Sequence, residues 1–210
     1  MNSGRGQPVK RKGPKPGSGP EHEARNQELH DILDEGLANA SLGPRQAKQF
    51  REAMSNAIRR LSAGAAEILA RNVTFRFYPT TAEFMRIYKR YPNPKKKPPQ
   101  AFTVDFFVHC RGGKFDRPLE DIWTHEIAHV LNNSFNPIIT ERKEWKVAWE
   151  DEIRDQFDKA SQLLGKHAKN SEKEGFAELF MLVYNGEISL EEAELYYPEC
   201  SEVMEKFKLW

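Results

Sequence analysis

The stretch DIWTHEIAHVLNN, residues 121–133, governs how the rest of the chain is read. His125 and His129 stand four positions apart, and Glu126 directly follows the first of them. Asp116 and Pro118 mark a helix start, and Leu119, Ile122, Trp123, Ile127, Val130 and Leu131 give the following segment a buried side. Positions four apart on a helix lie one turn apart on one face, so the two imidazoles project together. Two neutral nitrogen donors at that separation can bind one zinc ion and leave a coordination position open. Glu126 can then serve as a base toward a water there without being a ligand itself. The competing reading is an amphipathic helix that carries its histidines by accident. The apolar frame, and the strand with a Gly-rich exit just before it, favour the metal.

Two histidines do not complete a catalytic zinc site, and the third ligand sorts the classes. A histidine six residues on, after a glycine, would give the metzincin pattern. The matching places hold Asn132 and Phe135, which leaves a carboxylate from a later helix. NSEKEGFAELFMLVYNG, residues 170–186, supplies two candidates. Glu174 and Glu178 are four apart on one face, while Phe176, Leu179, Phe180 and Val183 form another. Either glutamate can ligate zinc while the other stands behind a ligand histidine and fixes its tautomer. Ser171, three residues before Glu174, also reads as a capping box, which needs no metal. The open place left by the histidine pair favours the ligand reading.

HEIAH followed at a distance by EGFAELF resembles the catalytic domain of anthrax lethal factor and the smaller Pro-Pro endopeptidases. That family pairs HExxH with a later E-x-FAE helix across a long gap. The resemblance covers residues 70–210, and outside the two motifs it is loose. It implies a zincin-like fold, with His125, His129 and Glu174 as Zn2+ ligands, Glu126 as the base that activates water, and Glu178 behind the ligands. The family places an oxyanion-stabilising tyrosine seven residues before its ligand glutamate. This sequence has His167 there, and a histidine can donate the same hydrogen bond. Tyr184 is a weaker candidate, expected to pack within its helix. The resemblance also implies a peptide or protein substrate lying extended along a strand edge beside the motif helix, with AFTVDFFVHC as the candidate edge.

The remaining pattern gives an α+β organisation: helices, a small mixed sheet with a helix between its strands, then helices. Residues 1–20 hold five basic residues and no acid among Gly, Pro and Ser, and read as a disordered basic tail. Residues 21–70 read as N-terminal helices: one over 21–36 that Gly36 can end, and a longer one from Pro44 to Ala70. The catalytic domain is expected over 71–210. NVTFRFYP alternates as a strand, TTAEFMRIYKRY reads as a helix capped by Thr80 or Thr81, YPNPKKKPPQ as a loop, and AFTVDFFVHC as a second strand. Trp145 and Trp149 flank the expected cleft in sequence, but their spacing of four fits a helix packed on its apolar face.

The totals exclude several classes. At 210 residues with 39% hydrophobic residues the chain can bury a core. A net charge of +1 makes no case for nucleic acid beyond contacts of the tail. Cys110 and Cys200 form no CxxC pair, which argues against a disulfide framework and a thiolate metal site. No stretch is apolar enough to cross a membrane, and residues 1–20 lack the apolar centre of a secretory signal. The expectation is a cytoplasmic protein, or one delivered by a dedicated route. The reading is therefore a gluzincin-type zinc endopeptidase. Its rival is a catalytically silent zincin-fold binding or structural module of a phage or mobile element.

Overall fold

The computed structural model describes residues 17–91, 99–113, 115–155 and 163–210. Most of the expected basic tail and the Lys/Pro-rich loop lie outside the described residues. Helices α1 (Pro20–Ala38), α2 (Pro44–Arg60) and α3 (Ala63–Asn72) come first, followed by β1 (Thr74–Tyr78), α4 (Thr81–Tyr88) and the strands β2 (Ala101–Val104) and β3 (Phe107–Arg111). The motif helix α5 (Leu119–Asn133) follows, then α6 (Lys143–Trp149), α7 (Glu172–Tyr184), α8 (Leu190–Tyr196) and α9 (Pro198–Lys206). The α+β organisation read from the sequence is the one found.

Three local expectations need correction. The helix expected from Pro44 to Ala70 is two helices. The apolar stripe runs through both, but the chain leaves the helical region at Leu61, and Ser62 restarts it by accepting from the Ala65 N–H at 3.2 Å. AFTVDFFVHC is a hairpin and not one strand. Asp105, at φ 52, takes the left-handed conformation that turns the chain, a region Asp tolerates better than most residues. Gly36 does not end its helix. It lies inside α1, where an added Cβ would stand 2.7 Å from the Phe75 carbonyl, so its bare backbone lets β1 approach.

The sheet order is β1–β3–β2, with β1 parallel and β2 antiparallel to β3. β2 is therefore an edge. One sheet face packs on α5 through Phe75, Phe77 and Trp123, whose rings meet edge-on at 6.1 and 5.6 Å. The other face carries Tyr78, Phe102 and His109, with His109 stacked on Phe102 at 4.6 Å. The buried apolar cluster runs from Leu29 to Leu209, so α1–α3, the sheet and the C-terminal helices contribute to one core. α5 and α7 lie against each other at its centre. Their ends are tied by Asn185, whose amide donates to Asp121 at 2.8 Å and accepts from Thr124 at 3.1 Å. Among the described residues, no helix is long and apolar enough to cross a membrane.

Candidate functional site

The site lies where the middle of α5 faces the first turn of α7. His125 and His129 lie one turn apart on one face of α5, and Glu126 follows His125 on the adjacent face. Glu174 enters from the third residue of α7, placed there by Ser171, whose hydroxyl accepts from the Glu174 N–H at 3.3 Å. Ser171 thus caps the helix while the Glu174 carboxylate turns toward the histidines, so one half of the expected capping box is made and the carboxylate stands where a ligand could. His125, His129 and Glu174 each offer one donor atom, and these atoms all lie within 4.8 Å of one another.

The separations suit a metal ion. Donors about 2 Å from a tetrahedral zinc stand ~3.3 Å apart. Nε2 of His125 is 3.2 Å from Nε2 of His129 and 3.3 Å from Glu174 Oε2, and His129 Nε2 is 3.9 Å from Glu174 Oε1. Glu174 Oε2 is buried, with His167 Nε2 at 2.7 Å and His125 Nε2 at 3.3 Å from it. Nitrogen and oxygen donors converging on one point in this way are what a shared cation can bridge. The donor set of two imidazoles and a carboxylate is one that zinc accepts.

Electrostatics point the same way. Burial opposes charge on His125, but its contacts with Glu174 and Glu178 and the charge of Glu126 outweigh burial and hold its pKa up to about 10. Burial and the charge on His125 push His129 down to about 3. Burial would raise Glu174, but His125 and His167 hold it well below the usual carboxylate range. The two carboxylates thus favour positive charge on His125, while His129 stays neutral.

Glu126 is buried and its Oε2 accepts from the Thr103 hydroxyl at 2.7 Å. Burial pushes the Glu126 carboxyl up, against the lowering effect of His125 and of Thr103. Glu178 is 3% exposed and reaches His125 from behind, with Oε1 3.4 Å from Nδ1. The same oxygen takes Arg117 Nη1 at 3.1 Å. His167 also arrives at the site. Its Nε2 is 2.7 Å from Glu174 Oε2, and its Nδ1 is 3.0 Å from the Asn170 amide nitrogen. An amide nitrogen only donates, which assigns the ring proton to Nε2. Tyr184 is placed elsewhere: it is buried, its hydroxyl donates to the Leu209 carbonyl, and it accepts from the Ser62 N–H.

His125, Glu126, His129, His167 and Glu174 line the floor of a cleft of about 890 Å³. One wall is β2 with Tyr88 and Tyr91, and the other is Phe135, Pro137 and Ile138. Trp145 and Trp149 do not line it. They are 0% and 5% exposed, and their ring N–H groups donate to the carbonyls of Glu172 and Ala168, so they buttress α7 and the turn before it. Thr103, Arg117 and Asn170 carry no sequence signal, because their partners are set by tertiary approach and by no motif.

No protein-family model matches this chain, and no curated protein matches it by sequence. Among solved structures, the fold is similar to the Pro-Pro endopeptidase PPEP-2 from Paenibacillus alvei. The likeness has a TM-score of 0.56 and 15% identity, and covers 83% of this chain and 98% of that one. At that identity the likeness is one of fold, and it agrees in fold with the resemblance read from the motifs.

Proposed function

We propose that the chain is a zinc-dependent endopeptidase. The observation that carries this reading is the convergence of His125, His129 and Glu174 on the floor of an open cleft, with the buried Glu126 beside them. The likeness in fold to an endopeptidase supports it. His125, His129 and Glu174 would hold the ion. Bound there, zinc supplies Lewis acidity toward a carbonyl and lowers the pKa of a water at its open position.

The remaining work falls to the chain's own residues. Glu126 takes a proton from the attacking water and passes it to the leaving amine. Thr103 fixes the rotamer of Glu126 by donating to Oε2, so that the base is held before substrate arrives. Nε2–H of His167 is the candidate donor to the oxyanion that develops on the carbonyl. Glu178 Oε1 stands 3.4 Å from Nδ1 of His125 and is the carboxylate placed to keep the Nε2 lone pair toward the site. The substrate is a peptide or a protein segment. As a sheet edge lining the cleft, β2 can take an extended peptide as an added strand.

The test compares wild type with Glu126→Gln for bound zinc and for cleavage of a peptide library. Zinc in both proteins and cleavage by wild type alone is the expected result. Zinc in both with neither cleaving would favour a silent zincin-fold module. Absence of stoichiometric zinc from both would end the proposal.

A further inference from the structure

We propose that Arg117 is a positioning residue for the metal centre, acting through Glu178 on His125; this rests on the zinc reading above. Arg117 lies in the segment that leads into α5. Its side chain is 47% exposed, yet Nη1 reaches inward to Glu178 Oε1 at 3.1 Å. The same oxygen stands 3.4 Å from His125 Nδ1. One buried carboxylate oxygen therefore sits between a guanidinium and the outward nitrogen of a ligand imidazole. Among the described residues, Arg117 and His125 are the ion-pair partners of Glu178.

The terminal torsion of a glutamate is broad, so a carboxylate held only by an imidazole can turn away. A second donor on the same oxygen fixes where that oxygen points. With Oε1 held at the Nδ1 side, the proton stays on Nδ1 and the Nε2 lone pair faces His129 and Glu174. A buried carboxylate also needs partners for its charge, and Arg117 supplies the lasting one when Nε2 is engaged elsewhere. The rigid guanidinium fork suits this orienting task better than an ammonium on a flexible stem. On its outer side Arg117 borders a surface groove with Gln49, Glu52 and Asn56, so replacing it leaves no core cavity.

The experiment measures zinc dissociation constants by competition with a chromophoric chelator, and the melting temperature of each metal-free protein. The proteins are wild type, Arg117→Gln, Arg117→Lys, Glu178→Gln and the double variant Arg117→Gln/Glu178→Gln. Arg117→Gln is expected to weaken zinc binding about 10-fold, the low end for groups behind a ligand. Arg117→Lys should recover part of the loss, and Arg117→Gln should add nothing in the Glu178→Gln background. The proposal is overturned by an unchanged constant in Arg117→Gln, or by an equal loss with and without Glu178. It also falls if the loss tracks a lowered metal-free melting temperature and Arg117→Lys does no better than Arg117→Gln. These outcomes leave the zinc reading standing, whereas a wild type that takes up no zinc overturns both.

Discussion

Gly175, the residue after Glu174 in EGFAELF, offers a contest between two effects of opposite sign. It lies within α7, where helix propensity alone predicts that Gly175→Ala stabilises by ~1 kcal/mol. Packing predicts the reverse. An added Cβ would stand 2.4 Å from Trp149 Cδ1, 2.5 Å from its Nε1 and 3.1 Å from the Ala168 carbonyl. Trp149 cannot swing aside cheaply, because its ring is 5% exposed and its N–H donates to Ala168 at 3.0 Å. Overpacking of a well-filled site costs ~1–3 kcal/mol, and loss of the indole hydrogen bond costs about 1 kcal/mol more. Set against the propensity gain, the net effect is a destabilisation of about 2 kcal/mol. For a chain of this size that lowers the melting temperature by ~4–8 °C.

The assay is calorimetry on metal-free wild type and variant, repeated in a Trp149→Ala background. There the ring is gone and only the Ala168 carbonyl at 3.1 Å remains, so the loss caused by Gly175→Ala should shrink toward neutral. The site should feel the change too, because Trp149 holds the Ala168 carbonyl beside His167 and presses on the turn that presents Glu174. Weaker zinc binding is expected alongside the lower melting temperature. A Gly175→Ala protein that melts at or above wild type would refute the reasoning, since propensity would then have outweighed the clash.

Glu174→Ala should lose more zinc affinity than Glu178→Ala, as measured by chelator competition; the opposite order would exchange the ligand and the group behind it. Asn132→Ala should destabilise by ~1–3 kcal/mol, because the fully buried amide oxygen accepts from the Thr140 N–H at 2.9 Å and its loss strands that donor; a urea midpoint like that of wild type would contradict this. His109 is held neutral by burial, with a smaller push from Arg76, and its pKa falls to about 4. A depressed histidine gives stability that is complete above its ordinary pKa near 6.5 and is lost as pH falls toward 4, up to about 3 kcal/mol. The stability difference between wild type and His109→Phe should therefore shrink across that window, and parallel pH profiles would show that His109 does not titrate there.

The parts of the fold that were legible in the sequence are those where one local rule decides. HEIAH fixes a face because four residues make about one helical turn, and SEKE fixes the start of α7 because a serine hydroxyl can cap it. The pairing of α5 with α7 came from chemistry and not from periodicity: two imidazoles leave a coordination shell incomplete, and a carboxylate helix was available to complete it. The failures came where competing rules were nearly balanced. The apolar stripe of α2 continues past Leu61 into α3 without a proline, Gly64 already lies inside the first turn of α3, and Ser62 is what marks the restart. The β2–β3 turn uses Asp105 with no glycine beside it, so continued strand and hairpin had nearly equal local support.

The least legible layer is the one that orients the site. Thr103 reaches Glu126 across 23 positions, and Arg117 reaches Glu178 across 61. Neither has a spacing that any helix or strand imposes, and both are residue types that normally serve on surfaces. Their meaning depends on where the β2 edge and the approach to α5 come to rest against the two motif helices. That resting place is set by bulk packing, by Trp123 between Phe75 and Phe77 and by Trp149 over Gly175. If so, damage to the buttress at Gly175 and damage to the relay at Arg117 should both reach the metal, but by separable routes. The first should lower metal-free stability together with zinc affinity, and the second should lower affinity alone. A Gly175→Ala protein with weakened zinc binding and unchanged metal-free stability would break that separation.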